Sequence, residues 1–128
     1  MAGMVVVAMC ADPNLFVACV RQVQKSLKYS AKKLIEEKIE AFGVGHLFEV
    51  QQNVIKRIGG KGECIFCGLS DHTADSIKSM DGFHIWWIEE AQSITEHSMQ
   101  LLIPTVRGNK GPFGASQPEV WFSWNPRR

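Results

Sequence analysis

The sequence has no strong excess of charge of either sign. Lys and Arg together number 14 and Asp and Glu together 13, which gives a formal net charge of +1, and charged residues make up 21% of the chain. Bulk electrostatics therefore predict neither tight binding to nucleic acid nor a preference for acidic ligands. Any contact with DNA has to be inferred from particular residues.

The sequence also lacks an apolar run of membrane-spanning length. The first apolar run, residues 1–11, stops at Asp12-Pro13, which is about half of the ~20 residues that a bilayer crossing requires. There is no cleavable signal sequence with a basic start and a small-residue exit. The four cysteines lie mostly within apolar stretches. We therefore expect a reducing, cytoplasmic setting and no association with a membrane.

Apolar periodicity predicts one domain over residues 1–128, built from alternating helices and strands. Helices are predicted over residues 1–10, 22–42 and 94–103, and strands over residues 15–20, 47–58, 63–69, 84–88 and 119–124. The turn at residues 59–62 contains three glycines and predicts a β-hairpin. Ser93 and Glu96 fit a capping box, and Pro104 is expected to end the last helix. The pattern predicts an α/β sandwich around a mostly parallel sheet with an added hairpin.

The most specific feature is an apolar strand, residues 84–88, that ends in two adjacent carboxylates, Glu89 and Glu90. Ligands of doubly wound sheets bind at the carboxyl ends of the strands. One carboxylate there can hold Mg²⁺, directly or through water, while its neighbour orients the water that attacks a terminal phosphate. The alternative is a pair of exposed acids that begins a loop.

A second strand also ends in polar groups. Ser123 and Asn125 place a hydroxyl and a carboxamide at the end of the last strand. Such groups can sense whether a terminal phosphate is present and pass the difference to a moving element. The alternative is a capped strand end that Pro126 terminates.

The cysteines offer a competing interpretation as a zinc site. Cys64 and Cys67 are three residues apart and precede His72, with His84 or Cys19 as a fourth ligand. Residues three apart in a strand point to opposite faces, so both thiols could reach one metal only if the strand broke into a turn. A second CxxC pair is missing, and we expect buried core cysteines instead.

Tryptophan side chains could stack on nucleobases in a nucleic-acid interface. Trp86 and Trp87 lie inside one apolar strand, and Trp121 and Trp124 lie inside another. We expect all four in the hydrophobic core.

Five sequence motifs carry a further signal. They are Val20-Arg21-Gln22 with Ser26 and Ser30, Phe66-Cys67-Gly68-Leu69, Ile77-Lys78-Ser79-Met80-Asp81-Gly82, Ile88-Glu89-Glu90-Ala91-Gln92, and Trp121-Phe122-Ser123-Trp124-Asn125-Pro126. They occur in the order found in phage terminase large subunits, and together they resemble the ATPase domain of that family. The resemblance covers nearly the whole chain and is closest to the terminases of defective prophages and small phages.

The resemblance implies a fold of the P-loop NTPase class whose parent enzyme uses ATP and Mg²⁺ to drive double-stranded DNA into a procapsid. Glu89 resembles the Walker B acid that assists the metal, and Glu90 resembles the catalytic glutamate. Ser123 and Asn125 resemble the coupling motif. Lys78 and Arg21 are candidates for a basic residue that acts on the nucleotide of a neighbouring subunit. Implied partners are DNA, the portal protein and the small terminase subunit, in a ring oligomer in the host cytoplasm.

The chain departs from the family pattern at the phosphate loop, a glycine-rich turn that ends in Gly-Lys-Ser or Gly-Lys-Thr. Neither residues 59–62 nor residues 108–111 have a hydroxyl after their lysine. We therefore expect an N-terminally truncated ATPase domain that starts just after the phosphate loop, lacks the nuclease domain and hydrolyses little ATP. The alternative hypothesis is a non-catalytic binding or scaffold module, with zinc held by Cys64 and Cys67 as one form of it.

Overall fold

A computed structural model describes residues 1–22, 31–71, 82–107 and 110–124. Within these ranges the chain forms three α-helices and six β-strands. The helices are α1 (Ala2–Ala11), α2 (Ala31–Ala41) and α3 (Glu96–Arg107). The strands are β1 (Phe16–Arg21), β2 (Phe48–Val50), β3 (Val54–Arg57), β4 (Glu63–Gly68), β5 (Ile85–Ile88) and β6 (Glu119–Phe122).

All six strands belong to one sheet with the order β2-β3-β4-β1-β5-β6. Strands β4, β1, β5 and β6 are parallel to one another, whereas β2 and β3 pair antiparallel with their neighbours. The predicted α/β fold, with a mostly parallel sheet and an added hairpin, is therefore confirmed. The parallel strands bring their carboxyl ends to one edge of the sheet.

Helices cover both faces of the sheet, as fully apolar central strands require. On one face α1 and α2 pack against the sheet through buried residues such as Val5, Met9 and Ile35. On the other face Leu102 of α3 packs against Trp86 and its neighbours. The central strands β1 and β5 are held between these two layers, which fixes the positions of their last residues.

The prediction of one strand over residues 47–58 is wrong, because this segment forms two antiparallel strands, β2 and β3. The turn between them occupies the exposed polar residues 51–53, and the N–H of Gln51 donates a 2.8 Å hydrogen bond to the carbonyl of Val54. A polar stretch gains nothing from burial in a sheet, so the chain reverses there even without glycine or proline.

The prediction for the last helix is corrected at both ends. Thr95, not Ser93, caps α3, since its Oγ1 accepts a 3.1 Å hydrogen bond from the N–H of Ser98. The helix continues through Pro104 to Arg107. Proline removes one helical hydrogen bond, and burial of Leu102 against the sheet offsets that loss.

The expected core position of the tryptophans is confirmed for β5, Trp121 packs partly buried against the core, and the prediction is wrong for Trp124. Trp86 and Trp87 are 0% and 3% exposed, whereas Trp124 is 63% exposed and Trp121 is half-buried. Strand β6 lies at the end of the described sheet, so one of its sides has no strand beside it within the described residues. An apolar cleft of about 640 Å³ separates it from α1.

Candidate active site

The candidate site lies where the order of the strands reverses. After β1 the chain forms β2, β3 and β4, which all lie on one side of β1. It then crosses β1 and forms β5 and β6 on the other side. A crevice forms at the carboxyl ends of two parallel strands whose connections leave in opposite directions. Arg21 is the last residue of β1, and Glu89 and Glu90 directly follow β5.

Arg21 and the two glutamates form a buried ion cluster. Nη2 of Arg21 lies 3.0 Å from Oε2 of Glu89 and 3.6 Å from Oε2 of Glu90. The side chains of Arg21, Glu89 and Glu90 are 9%, 12% and 18% exposed. The alternative of two solvated acids at the start of a loop therefore does not describe this site, because the carboxylates are largely withdrawn from water.

The electrostatic environment of Glu89 combines opposing influences. Burial raises the pKa of its carboxyl group, and the nearby Glu90 charge acts in the same direction. The Arg21 guanidinium and a hydrogen bond with the backbone of Ala31 lower the pKa and offset part of this rise. Loss of Arg21 would therefore leave a buried carboxylate with less compensation for its desolvation.

Glu90 has an unusual backbone conformation, with φ 47° and ψ 53° in the left-handed region. A residue with a Cβ atom adopts this region at a cost of roughly 1–3 kcal/mol, and such residues cluster at functional sites. The conformation turns the chain from β5 into a single helical turn at Ala91–Ser93, where the N–H of Ser93 donates to the carbonyl of Glu90. The turn holds Glu90 beside Arg21.

Ser123 lies next to the end of β5. Its N–H donates a 3.0 Å hydrogen bond to the carbonyl of Ile88, and its carbonyl accepts one from the N–H of Ala91. Its hydroxyl accepts a 2.9 Å hydrogen bond from Nε1 of the buried Trp87. Ser123 thus connects the β6 end, the β5 core and the turn that carries Glu90.

Gln22 belongs to the site, although no individual role was predicted for it from the sequence. Its Oε1 accepts a 2.9 Å hydrogen bond from the N–H of Thr95, at the start of α3, and its carbonyl accepts one from the N–H of Ser70. The end of β1 is thereby tied to α3 and to the end of β4. A polar residue directly after a buried strand was the available signal, and it is the same one that identified Glu89.

Two candidate residues lie outside the described ranges. These are Lys78, proposed as a basic residue that acts on a neighbouring subunit, and Asn125, proposed as part of the coupling motif. His72, considered as a zinc ligand, also lies outside them.

The cysteine geometry follows the prediction for an unbroken strand. Cys64 packs on the face of the sheet that α1 covers, and Cys67 packs on the opposite face. Burial raises the pKa of the Cys67 thiol to about 12, which makes the thiolate that binds metals scarce at neutral pH. Nδ1 of His84 accepts a hydrogen bond from the N–H of Phe16. The described residues contain no group of three or more His, Cys, Asp or Glu that could hold a metal ion.

Comparison with known proteins identifies the family. A family model described as the phage terminase large subunit matches residues 1–128. The chain belongs to the phage terminase large subunit family. Its fold is similar to that of the large terminase from a thermophilic bacteriophage, with a TM-score of 0.67 and 15% sequence identity. No curated protein matches the sequence.

The similarity to the thermophilic phage terminase covers 98% of this chain and 30% of that chain. The terminase family member described here therefore spans about a third of the length of that relative. None of its helices in the described ranges is long and apolar enough to span a bilayer.

Proposed function

We propose that this terminase chain carries the hydrolytic acids of an ATP-driven motor that packages double-stranded DNA into a procapsid. The observation that supports the proposal is the position of Glu89 and Glu90. Both acids follow β5 at the reversal of strand order, and both are largely buried beside Arg21. A buried carboxylate pair in a strand-end crevice suits metal-assisted hydrolysis.

In this proposal Glu89 assists Mg²⁺, directly or through a water molecule, and Glu90 orients the water that attacks the terminal phosphate of ATP. The donor chemistry fits the metal, because Mg²⁺ prefers oxygen ligands and is usually held by one or two carboxylates plus water and substrate phosphates. Glu89 supplies one such carboxylate, and water and substrate phosphates would fill the remaining positions.

Ser123 and Asn125 are proposed to couple the state of the nucleotide to movement. The contacts of Ser123 with Ile88, Ala91 and Trp87 support this role, because they join the end of β6 to the turn that carries Glu90. Displacement of the turn at Ala91–Ser93 would therefore also displace the end of β6. Asn125 remains a prediction from the resemblance.

The two basic candidates differ in what supports them. Arg21 is 8% exposed and its guanidinium contacts acids of its own chain, which favours a role within the subunit over one on a neighbour's nucleotide. Lys78 remains the candidate for action on a neighbouring subunit in the ring.

Family membership also supports the other elements of the proposal. DNA, the portal protein and the small terminase subunit are the proposed partners, and the host cytoplasm is the proposed location. The 128 residues contain no Gly-Lys-Ser or Gly-Lys-Thr, so they do not supply the lysine and N–H groups of a phosphate loop. Those groups provide much of the charge stabilisation in phosphoryl transfer. We expect the isolated chain to hydrolyse ATP poorly or not at all.

The test compares the isolated chain with a fusion in which a strand, phosphate loop and Gly-Lys-Ser ending precede residue 1. We expect Mg²⁺-dependent ATP hydrolysis by the fusion only, and its loss in the fusion with Glu90→Gln. A Glu96→Gln fusion is the matched control, since it removes an equivalent carboxylate at the exposed start of α3. Hydrolysis that survives Glu90→Gln would refute the assignment. Robust turnover by the isolated chain would refute its expected inactivity.

A further inference from the structure

We propose that Arg21 is the resident counter-ion of Glu89 and Glu90, and that a divalent cation held by Glu89 displaces its guanidinium. The inference rests on the proposed function in one respect, because it takes Glu89 to hold the metal. It adds a cation inside the same subunit that competes with the metal.

The Arg21 guanidinium lies close to both carboxylates. One nitrogen of Arg21, Nη2, lies 3.0 Å and 3.6 Å from the Oε2 atoms of the two glutamates. The guanidinium nitrogen therefore already lies at ion-pair distance from both carboxylates. A divalent cation held by Glu89 and the Arg21 guanidinium would compete for the same carboxylate.

Burial and charge carry the second step. The three side chains are 9%, 12% and 18% exposed, so solvent screens their charges weakly. A guanidinium and a divalent cation beside the same carboxylates repel each other, and at this degree of burial the repulsion is screened only weakly. The repulsion favours release of the guanidinium when a metal ion binds.

The surroundings of Arg21 show how release could occur without rebuilding the sheet. Its backbone pairs with Gly68 in β4, and the next residue, Gln22, is held through Ser70 and Thr95. Its guanidinium contacts Glu89 and Glu90 through Nη2, and its Nε has no hydrogen-bond partner among the described residues. The contacts of the guanidinium are therefore separate from those that hold the end of β1, and they can break while the end of β1 stays in place.

An opposite role makes the opposite prediction. If Arg21 served to hold the two carboxylates at the spacing that the metal needs, its removal would weaken metal binding. If it is a competing counter-ion, its removal strengthens metal binding. The sign of the change in affinity separates the two roles.

The experiment measures Mn²⁺ binding to the purified 128-residue chain and its variants by electron paramagnetic resonance of the free ion. We expect Arg21→Met to bind Mn²⁺ about tenfold more tightly than the unmodified chain, within the usual range for coupled sites. Arg57→Met is the matched control. It removes the same charge from an arginine that contacts the carbonyls of Met9 and Cys10, and its affinity should be unchanged.

A second variant and a second measurement cover the case in which Arg21→Met does not fold. Arg21→Gln removes the positive charge and keeps a polar side chain, and we expect tighter Mn²⁺ binding than in the unmodified chain. In the unmodified chain, nuclear magnetic resonance of the Arg21 side chain should report its release as Mg²⁺ is added.

The outcomes separate this inference from the proposed function. Mn²⁺ binding that Glu89→Gln abolishes, but that Arg21→Met and Arg21→Gln leave unchanged or weaken, overturns the counter-ion role alone. Absence of Mn²⁺ binding in every folded variant overturns the metal role of Glu89 itself, and the counter-ion role with it.

Discussion

Ser123→Ala should destabilise the chain through one buried donor. The Trp87 indole N–H donates to the Ser123 hydroxyl over 2.9 Å, and Trp87 is 3% exposed. A buried donor that loses its partner costs about 1–3 kcal/mol. Ser123 itself is half-buried, so water can partly replace the hydroxyl. We therefore expect a loss in the lower half of that range, about 1–2 kcal/mol.

The assay is urea unfolding followed by circular dichroism, in a double-mutant cycle with Trp87→Phe. Phenylalanine has no N–H to satisfy, so Ser123→Ala should cost close to nothing in the Trp87→Phe background. An equal cost in both backgrounds would refute the reasoning, because the effect could not then come from this hydrogen bond. Thr95→Ala, which removes a cap at α3 instead, should remain additive with Trp87→Phe.

Three further changes test the site, the edge and the core. Burial raises the pKa of Glu89 above its value in the unfolded chain. The protonated Glu89 side chain therefore stabilises the fold at low pH, and this stabilisation is lost as pH rises through the folded-state pKa. The stability of Glu89→Gln relative to the unmodified chain should therefore increase as the pH rises above the ordinary carboxyl value of 4.5 in urea titrations; a flat difference would contradict this. Within the described residues β6 has no strand on one side, and an unpaired strand edge can pair with that of a second copy. We therefore expect self-association in analytical ultracentrifugation that Phe122→Lys, at an exposed position of β6, reduces; an equal mass for both chains would count against pairing through that edge. Leu102→Ala should cost about 2–5 kcal/mol of unfolding free energy, whereas Ile103→Ala, at a 37% exposed position, should cost under ~1 kcal/mol. Similar losses would contradict the packing of α3.

The sequence predicted the central strands and the acid pair because their chemistry is local. Residues 85–88 are all large and apolar, and such a run can only be buried on both faces of a sheet. The change from Ile88 to Glu89 marks the end of that strand in the sequence itself. Because the strand ends there, both acids lie at its carboxyl end.

Features that depend on distant residues could not be predicted in the same way. Arg21 and Glu89 are 68 positions apart, and Gln22 and Thr95 are 73 apart. Either pairing requires the strand order, which local periodicity does not specify. The exposure of Trp124 has the same origin, since an apolar strand looks alike in sequence whether it lies in the centre of a sheet or at its edge.

The turn at residues 51–53 was missed for a different reason. It contains no glycine or proline, the residues that most strongly mark a reversal. Three consecutive polar residues between Val50 and Val54 were the only available indication.

Paramagnetic broadening by Mn²⁺ tests most directly whether the acid pair is the metal site of this chain. Amide resonances are recorded by nuclear magnetic resonance as substoichiometric Mn²⁺ is added. We expect the amides of Arg21, Glu89 and Glu90 to broaden first, and Glu89→Gln to abolish the effect. Broadening centred on another part of the chain, and unchanged by Glu89→Gln, would contradict the assignment.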